Sequence, residues 1–227
     1  MKRIGNRKSE IGNRAAFTLI ELLVVIAIMG VLAGLTLSIL PGVKRRQAVN
    51  TAGAELEQIR TALENYKAKY GVYPPSNPAG ALTNQLYYEL SGVTSTVIAG
   101  TPSYQTLDSA SSIATNVYKS TFNVGGAINC TQPGGDPESA KAGNFLPALK
   151  PNRIGIIGSF NVLITSVRGP DANYQPLGVS DVNPFRYAYP GTNNPGSYDL
   201  WVQLVYHGQT NLICNWSKQI QLNSSLP

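Results

Sequence analysis

Charged residues and the side chains of acid–base and redox chemistry are scarce in this chain of 227 residues. Charged residues make up 13% of it, and it has one histidine and two cysteines. Gly-x-Ser-x-Gly, paired-cysteine, phosphate-loop and histidine-rich metal motifs are missing, and the histidine, His207, is predicted to be a solvated loop residue. The hydrophobic content of 43% excludes a disordered polyelectrolyte. We therefore do not expect an enzyme, and the composition fits one globular domain with an appendage.

The net positive charge of the chain is concentrated at its N-terminus. Residues 1–16 contain five basic side chains and one acid, which accounts for four of the six net positive charges. A basic excess indicates a nucleic-acid or membrane partner only when it is clustered on the folded part of a protein. The remainder of this chain is nearly neutral, so we do not expect nucleic acid among its partners.

An apolar segment of 24 residues follows, from Phe17 to Leu40, and its only charged residue is Glu21. A helix rises about 1.5 Å per residue, so this segment is long enough to cross a hydrocarbon core of about 30 Å. The basic residues before it predict a single-pass membrane protein with a cytoplasmic N-terminus and an exported domain. A secretory signal peptide is the alternative, although its apolar part is usually only about 7 to 15 residues long.

Glu21 is the residue of this segment that costs free energy to insert into a membrane. An acid in an apolar membrane span therefore needs a partner or a function. No basic residue lies between Phe17 and Leu40, so a cationic partner has to come from elsewhere. The alternative is a carboxylate at the membrane interface, since Glu21 lies only one turn inside the segment.

The residues around Glu21 resemble the processing signal of type IV pilins and type II secretion pseudopilins. The matching run reads AFTLIELLVVI, begins at Ala16 and follows a short basic leader. The resemblance implies that a prepilin peptidase removes residues 1–16 by cutting between Ala16 and Phe17, and that Phe17 is then N-methylated. It also implies that Glu21 pairs with the N-terminal amine of a neighbouring subunit during filament assembly. The family usually has glycine before the cut, where this chain has Ala16.

A second helical pattern follows the apolar segment. Residues 41–71 are predicted to continue the helix, with apolar residues spaced three and four apart along one stripe. The stripe consists of Val49, Ala52, Leu56, Ile59, Leu63, Tyr66 and Tyr70. Packing on the chain's own domain is favoured over a coiled-coil seam, because only about three heptads are present. Gly71 and Pro74-Pro75 are predicted to end the helix, and Pro41-Gly42 to kink or loosen it.

Three consecutive basic residues, Lys44, Arg45 and Arg46, follow the apolar segment. Solvation or contact with phospholipid head groups is the favoured interpretation. DNA binding is the alternative, but no interleaved aromatic residues or further basic stripe support it.

Residues 72–227 are predicted to form the exported globular domain. A short helix that ends at Gly92 is predicted first, and the stretch of about 93–160, of which 93–127 is rich in serine, threonine and small residues, is predicted to be a long variable loop. Strands are predicted over 161–167, 185–189, 198–206 and 211–216. Because the long helix comes first and the strands come last, we expect an α+β fold with the helix across one face of a small antiparallel sheet.

Further segments resemble the major pseudopilin of type II secretion systems. Residues 70–74 (YGVYP) are similar to the end of its long helix, and residues 183–187 (NPFRY) and 197–201 (SYDLW) to its sheet region. The resemblance implies a pilin-like fold and a structural subunit of a periplasmic pseudopilus, anchored in the inner membrane. The implied partners are further copies of the chain, minor pseudopilins, prepilin peptidase, the inner-membrane assembly platform of the secretion system and membrane lipid.

Two other classes of function stay open. One is a type IV pilin for adhesion, motility or DNA uptake, against which the segments similar to the major pseudopilin argue. The other is an anchored binding or catalytic domain that does not polymerise, which Glu21 and the leader disfavour.

The family's calcium site is not expected here. In the major pseudopilin an acidic loop after the Tyr-Asp-Leu strand binds calcium, whereas residues 202–211 of this chain contain no carboxylate. Calcium needs several oxygen ligands, normally including Asp or Glu. We therefore expect no metal and no cofactor, and Asp199 is predicted to be a turn or strand-end residue.

The two cysteines, Cys130 and Cys214, both fall in the exported domain. An oxidising compartment favours a disulfide between them. A free Cys214 buried in a strand is the alternative, and the sequence leaves both open.

Overall fold

The computed structural model describes residues 18–132, 141–167, 175–206 and 209–223, without the side chains of residues 36–41 and 206. The chain divides into two units, residues 1–44 and residues 45–227. One helix, α1, runs from Leu19 to Tyr70 and contributes to both units. It continues through Pro41 and Gly42, so the predicted weak point does not interrupt the helix.

Residues 86–131 fold into two short helices and a four-stranded sheet. The elements are α2 (Leu86–Ser91), β1 (Val93–Ile98), β2 (Thr101–Thr106), β3 (Ser112–Ala114), α3 (Thr115–Phe122) and β4 (Cys130–Thr131). The strand order is β3-β2-β1-β4, with β1 and β4 parallel and the other neighbours antiparallel. The prediction of a short helix ended by Gly92 is confirmed, since α2 ends one residue before it.

The prediction of a long loop over about 93–160 is wrong. Serine and threonine are common in loops, but threonine and valine fit the pleated surface of a sheet once one face is covered. Here each of the first three strands buries one larger side chain, Val93, Tyr104 or Ile113. The hydrophobic core, rather than the local composition, therefore turns this stretch into a sheet.

A hairpin and a second four-stranded sheet complete the domain. They consist of β5 (Ile154–Ile157), β6 (Phe160–Leu163), β7 (Arg186–Ala188), β8 (Asp199–Tyr206), β9 (Gln209–Cys214) and β10 (Gln221–Leu222). The second sheet is antiparallel throughout, in the order β10-β9-β8-β7. The predicted strands are confirmed, although β6 ends at Leu163 and Ile164 makes only an isolated bridge to Pro184.

The predicted apolar stripe of α1 lies at the centre of the main hydrophobic core. Its members from Val49 to Tyr66 are at most 8% exposed, and Tyr70 is half-buried. They share this core with Leu200, Val202 and Leu204, which alternate along β8. The prediction that the helix packs on the chain's own antiparallel sheet is confirmed, and with it the α+β, pilin-like fold.

The end of α1 follows its local sequence. Gly71, directly after Tyr70, has a φ of +76° and donates its N–H to the carbonyl of Lys67 at 2.7 Å. Glycine enters this left-handed conformation without the steric cost that a side chain brings. The predicted helix end is confirmed.

Two buried carboxylates fasten the helices to the rest of the domain. Glu55 on α1 accepts hydrogen bonds from Thr165 Oγ1 at 2.6 Å and from the Ser166 N–H at 3.0 Å, and Arg153 Nε lies 3.7 Å from it. Glu89 on α2 is fully buried. Neither acid stands out in the sequence, because their partners lie far away along the chain.

Candidate functional site

The first turn of α1 contains the acid that the sequence singles out. The N–H and the hydroxyl of Thr18 both donate to Glu21 Oε2, at 2.9 and 2.8 Å, and the Glu21 N–H donates to Thr18 Oγ1 at 3.3 Å. This reciprocal pair is a capping box, in which an N-cap threonine and a glutamate three residues later satisfy backbone N–H groups that the helix cannot pair. The Thr-x-x-Glu spacing before an apolar run is a signal that sequence reasoning missed.

Glu21 thus has hydrogen-bond partners within its own chain, and none of those among the described residues is a cation. All three bonds of the capping box use Oε2 or the backbone, and none uses Oε1. Within the described residues, the capping box therefore holds the carboxylate at the start of the helix through Oε2 and does not engage Oε1.

The helix surface around and beyond Glu21 is apolar on all sides. The large apolar side chains from Leu19 to Leu35 are 46–81% exposed. A shallow depression beside the acid is lined by Ile20, Val24 and Val25. A helix that is apolar all round is normally covered, either by lipid or by protein.

Among the residues that the structure describes, no helix is both long enough and apolar enough to cross a membrane.

Several predicted features lie outside the described residues. These are the leader of residues 1–16, the cut between Ala16 and Phe17, the methylation of Phe17 and the loop position of His207. The predicted membrane segment, residues 17–40, lies partly outside them, since Phe17 and the side chains from residue 36 onward are not described. All of these stay predictions.

The basic residues after the apolar segment do not form one uniform group. Lys44 and Arg46 are exposed, whereas Arg45 is half-buried and donates from Nε and Nη2 to Asn211 Oδ1 on β9, at 3.2 and 2.7 Å. The interpretation of all three as solvated or lipid-facing residues is therefore wrong for Arg45. The 166 residues between the two partners explain why no local pattern showed this bond.

Asp199 is the first residue of β8, so the prediction of a strand-end residue is confirmed. Its buried carboxylate accepts hydrogen bonds from the N–H and Nδ2 of Asn193, at 2.8 and 3.0 Å, and from the Asn194 N–H at 3.0 Å. The acid therefore holds the loop that enters the strand. Within the described ranges, no three His, Cys, Asp or Glu side chains come together as a metal site would require.

The two cysteines are free. Cys130 lies on β4 in the first sheet and Cys214 on β9 in the second, and no disulfide joins them in this structure. The alternative, a free Cys214 buried in a strand, is what the structure contains. Burial raises the pKa of both thiols, and the thiol form that this favours is the unreactive one.

The α+β fold and the capped, apolar start of α1 agree with the resemblance to type IV pilin-like proteins that the sequence shows. Residues 11–37, which include Ala16, Phe17 and Glu21, match the family model of the prokaryotic N-terminal methylation motif. This match confirms the resemblance to the type IV pilin-like superfamily.

One relative with an assigned role is the type IV major pilin protein PilE1 of Neisseria gonorrhoeae. It is 41% identical to this chain over 64 residues, which are 28% of this chain and 30% of that pilin. The match therefore spans less than a third of the relative's length. No solved structure matches the chain significantly. These findings do not separate pilus subunits from pseudopilus subunits.

Proposed function

We propose that this protein is a structural filament subunit that polymerises through its N-terminal helix. The observation that carries the proposal is the exposed apolar surface of α1 around a capped Glu21, inside the segment that matches the methylation motif. In this proposal prepilin peptidase cuts between Ala16 and Phe17 and methylates Phe17. The subunit has no catalytic activity, cofactor or metal.

Before assembly, residues 17–40 hold the subunit in the inner membrane. The basic leader keeps the N-terminus in the cytoplasm, and the domain from residue 72 onward lies in the periplasm. Lipid then covers the apolar side chains that are exposed in the single chain. In the filament, other copies of the same helix replace the lipid.

Glu21 directs the addition of each subunit. Its Oε2 is held by Thr18, so Oε1 can receive the methylated N-terminal amine of a neighbouring copy. A charge pair removed from water contributes little net stability, because desolvation offsets the attraction. Such a pair is better suited to selecting one register of the helices, and that is the role proposed for it here.

At the finer level we propose a pseudopilus subunit of a type II protein secretion system. Residues 70–74, 183–187 and 197–201, which resemble the major pseudopilin, support this assignment. Minor pseudopilins and the inner-membrane assembly platform are then its partners. The alternative is a type IV pilus subunit for adhesion, motility or DNA uptake, which the name of the matched relative favours. Deleting the gene separates the two, since a pseudopilin is needed for protein secretion and a pilin for surface pili.

The first experiment is the N-terminal sequence and mass of the chain isolated from cells. The expected product begins at a methylated Phe17. A chain that keeps Met1 contradicts the proposed processing.

The second experiment separates the charge of Glu21 from its capping role. We expect Glu21→Ala to insert into the membrane but not to assemble into filaments. Glu21→Gln keeps a side chain that can cap the helix but removes the charge, and we expect it to fail as well. Glu57→Ala is the matched control, because Glu57 is an exposed acid on the same helix. Normal filaments from Glu21→Ala refute the proposed role of Glu21 in subunit addition.

A further inference from the structure

Glu89 on α2 is a fully buried acid that the proposed filament function does not use. Its Oε1 accepts hydrogen bonds from the Tyr118 hydroxyl at 3.1 Å and the Ile128 N–H at 2.9 Å. Its Oε2 accepts from the Tyr66 hydroxyl at 2.9 Å and the Asn129 N–H at 3.0 Å. Both oxygens are therefore fully engaged inside the core.

The four donors come from three different segments of the chain. Tyr66 lies near the end of α1, Tyr118 lies on α3, and Ile128 and Asn129 precede β4. The Asn129 side chain also donates from Nδ2 to the backbone carbonyl of Glu89 at 2.6 Å. Glu89 is thus the point at which α1, α2, α3 and the approach to β4 are joined.

The titratable groups that face Glu89 are neutral at physiological pH. They are Tyr66 and Tyr70 on α1, Tyr104 on β2, Tyr118 on α3, Cys130 on β4 and Tyr187 on β7. Burial raises the pKa of each of them, and the charge of Glu89 raises it further. Lys69 lies over the Tyr70 ring and donates to the carbonyl of Lys141. Among the described residues, no ion pair involves Glu89.

The protonated form of Glu89 is favoured by its surroundings. Burial without a cation raises its pKa above the ordinary value of 4.5, and the four hydrogen bonds oppose this shift without cancelling it. The site can also accommodate the added proton. A backbone N–H only donates, but a tyrosine hydroxyl can donate or accept, so the hydroxyl oxygen of Tyr66 or Tyr118 can accept a hydrogen bond from the protonated carboxyl.

We propose that Glu89 binds a proton in the folded domain. The protonated acid joins α1, α2, α3 and the approach to β4, so that the domain is more stable in mild acid than at alkaline pH. The folded domain binds this proton more tightly than the unfolded chain does. Its stabilising effect is therefore complete below the ordinary pKa of 4.5, and it is lost as the pH rises through the raised pKa of the folded state. Between the ordinary pKa and the raised pKa of the folded state, the folding equilibrium constant changes by up to about tenfold per pH unit. This stabilisation by the Glu89 proton does not depend on filament formation.

The test is urea unfolding of the full chain in detergent micelles, followed by tryptophan fluorescence from about pH 4.5 to about pH 8. All variants carry His207→Gln, so that the one histidine does not titrate in this range. With Glu89 present, the folding equilibrium constant is expected to rise toward acid. Glu89→Gln is expected to flatten this dependence. Glu55→Gln is the matched control, because it removes the charge of another buried acid, which has a cation, Arg153, beside it. The slope is expected to remain in this variant, since Glu89 is retained.

An unchanged pH dependence in Glu89→Gln overturns the proposal, and so does a loss of stability between pH 8 and pH 6 in the chain that retains Glu89.

A second measurement covers the case in which Glu89→Gln does not fold. Infrared spectroscopy of the folded wild-type chain is expected to show the C=O band of a protonated carboxyl above the pH at which exposed carboxyls ionise. Tyr118→Phe removes one donor to the ionised form and is expected to move the loss of this band to higher pH. The absence of the band in both proteins overturns the proposal.

Discussion

Replacing Arg45 by methionine tests whether this residue anchors α1 within the domain or faces lipid. Methionine keeps an apolar stem but removes both donors to Asn211 Oδ1, which lie at 3.2 and 2.7 Å. Asn211 is fully buried, so its oxygen is then left without these partners in the core. Hydrogen bonds to charged groups contribute about 1.5 to 3 kcal/mol, and a buried unsatisfied acceptor costs about 1 to 3 kcal/mol. We expect the free energy of unfolding to fall by about 2 kcal/mol.

The assay is equilibrium urea unfolding followed by the fluorescence of Trp201 and Trp216, whose rings lie 5.7 Å apart in the domain. With a denaturant slope of roughly 2 kcal/mol per molar urea, a loss of about 2 kcal/mol lowers the midpoint by about 1 M. Arg46→Met is the matched control, because Arg46 is the exposed neighbour. Its effect is expected to stay within about 0.5 kcal/mol.

Equal midpoints for Arg45→Met and Arg46→Met refute this reasoning. A double-mutant cycle with Asn211→Ala gives a further check. If the Arg45–Asn211 bonds carry the effect, the two substitutions cost less together than the sum of their separate effects, by about 1 kcal/mol or more. Additive effects show that Arg45 acts through something other than Asn211.

Three further predictions concern the domain. Ile59→Ala, in the buried stripe of α1, is expected to lower the free energy of unfolding by about 2 to 5 kcal/mol. Thr61→Ala, on the exposed face, is expected to change it by less than about 0.5 kcal/mol. Equal effects of the two variants in urea unfolding contradict the packing of this stripe. Alkylation of the denatured chain without reductant is expected to add two adducts by mass, at Cys130 and Cys214, and no adduct indicates a disulfide. Asp199→Ala removes three hydrogen bonds from the loop before β8 and is expected to speed proteolysis there; an unchanged rate contradicts that role.

The helical stripe and the C-terminal strands were predictable because their information is local. Side chains three and four residues apart fall on one face of a helix whatever surrounds it, so the period from Val49 to Tyr66 already identified the buried face of α1. Alternating apolar residues and turn-rich loops identified β8 and β9 in the same way. The helix end at Gly71 needed only the backbone freedom of glycine.

The stretch of 93–160 was not predictable on the same grounds. Strand preference depends on what covers each face of the sheet, and its serine- and threonine-rich sequence is compatible with both a loop and a strand. The residues that favour a sheet here, such as Tyr104 and Ile113, are buried in a core to which residues from the whole domain contribute. Sequence reasoning had no means of seeing that core.

The sequence by itself determined the most function-related part of the protein. A basic leader, an apolar run and one acid lie close together in the sequence, and they predict processing and assembly without any tertiary contact. Only the tertiary structure decided the roles of Arg45, Glu89 and the two cysteines. Glu89 meets donors 23 to 40 residues away, and Arg45 meets Asn211 across 166 residues. Contacts over such separations depend on how the sheets and helices pack around one core, and no local pattern of residues records that packing.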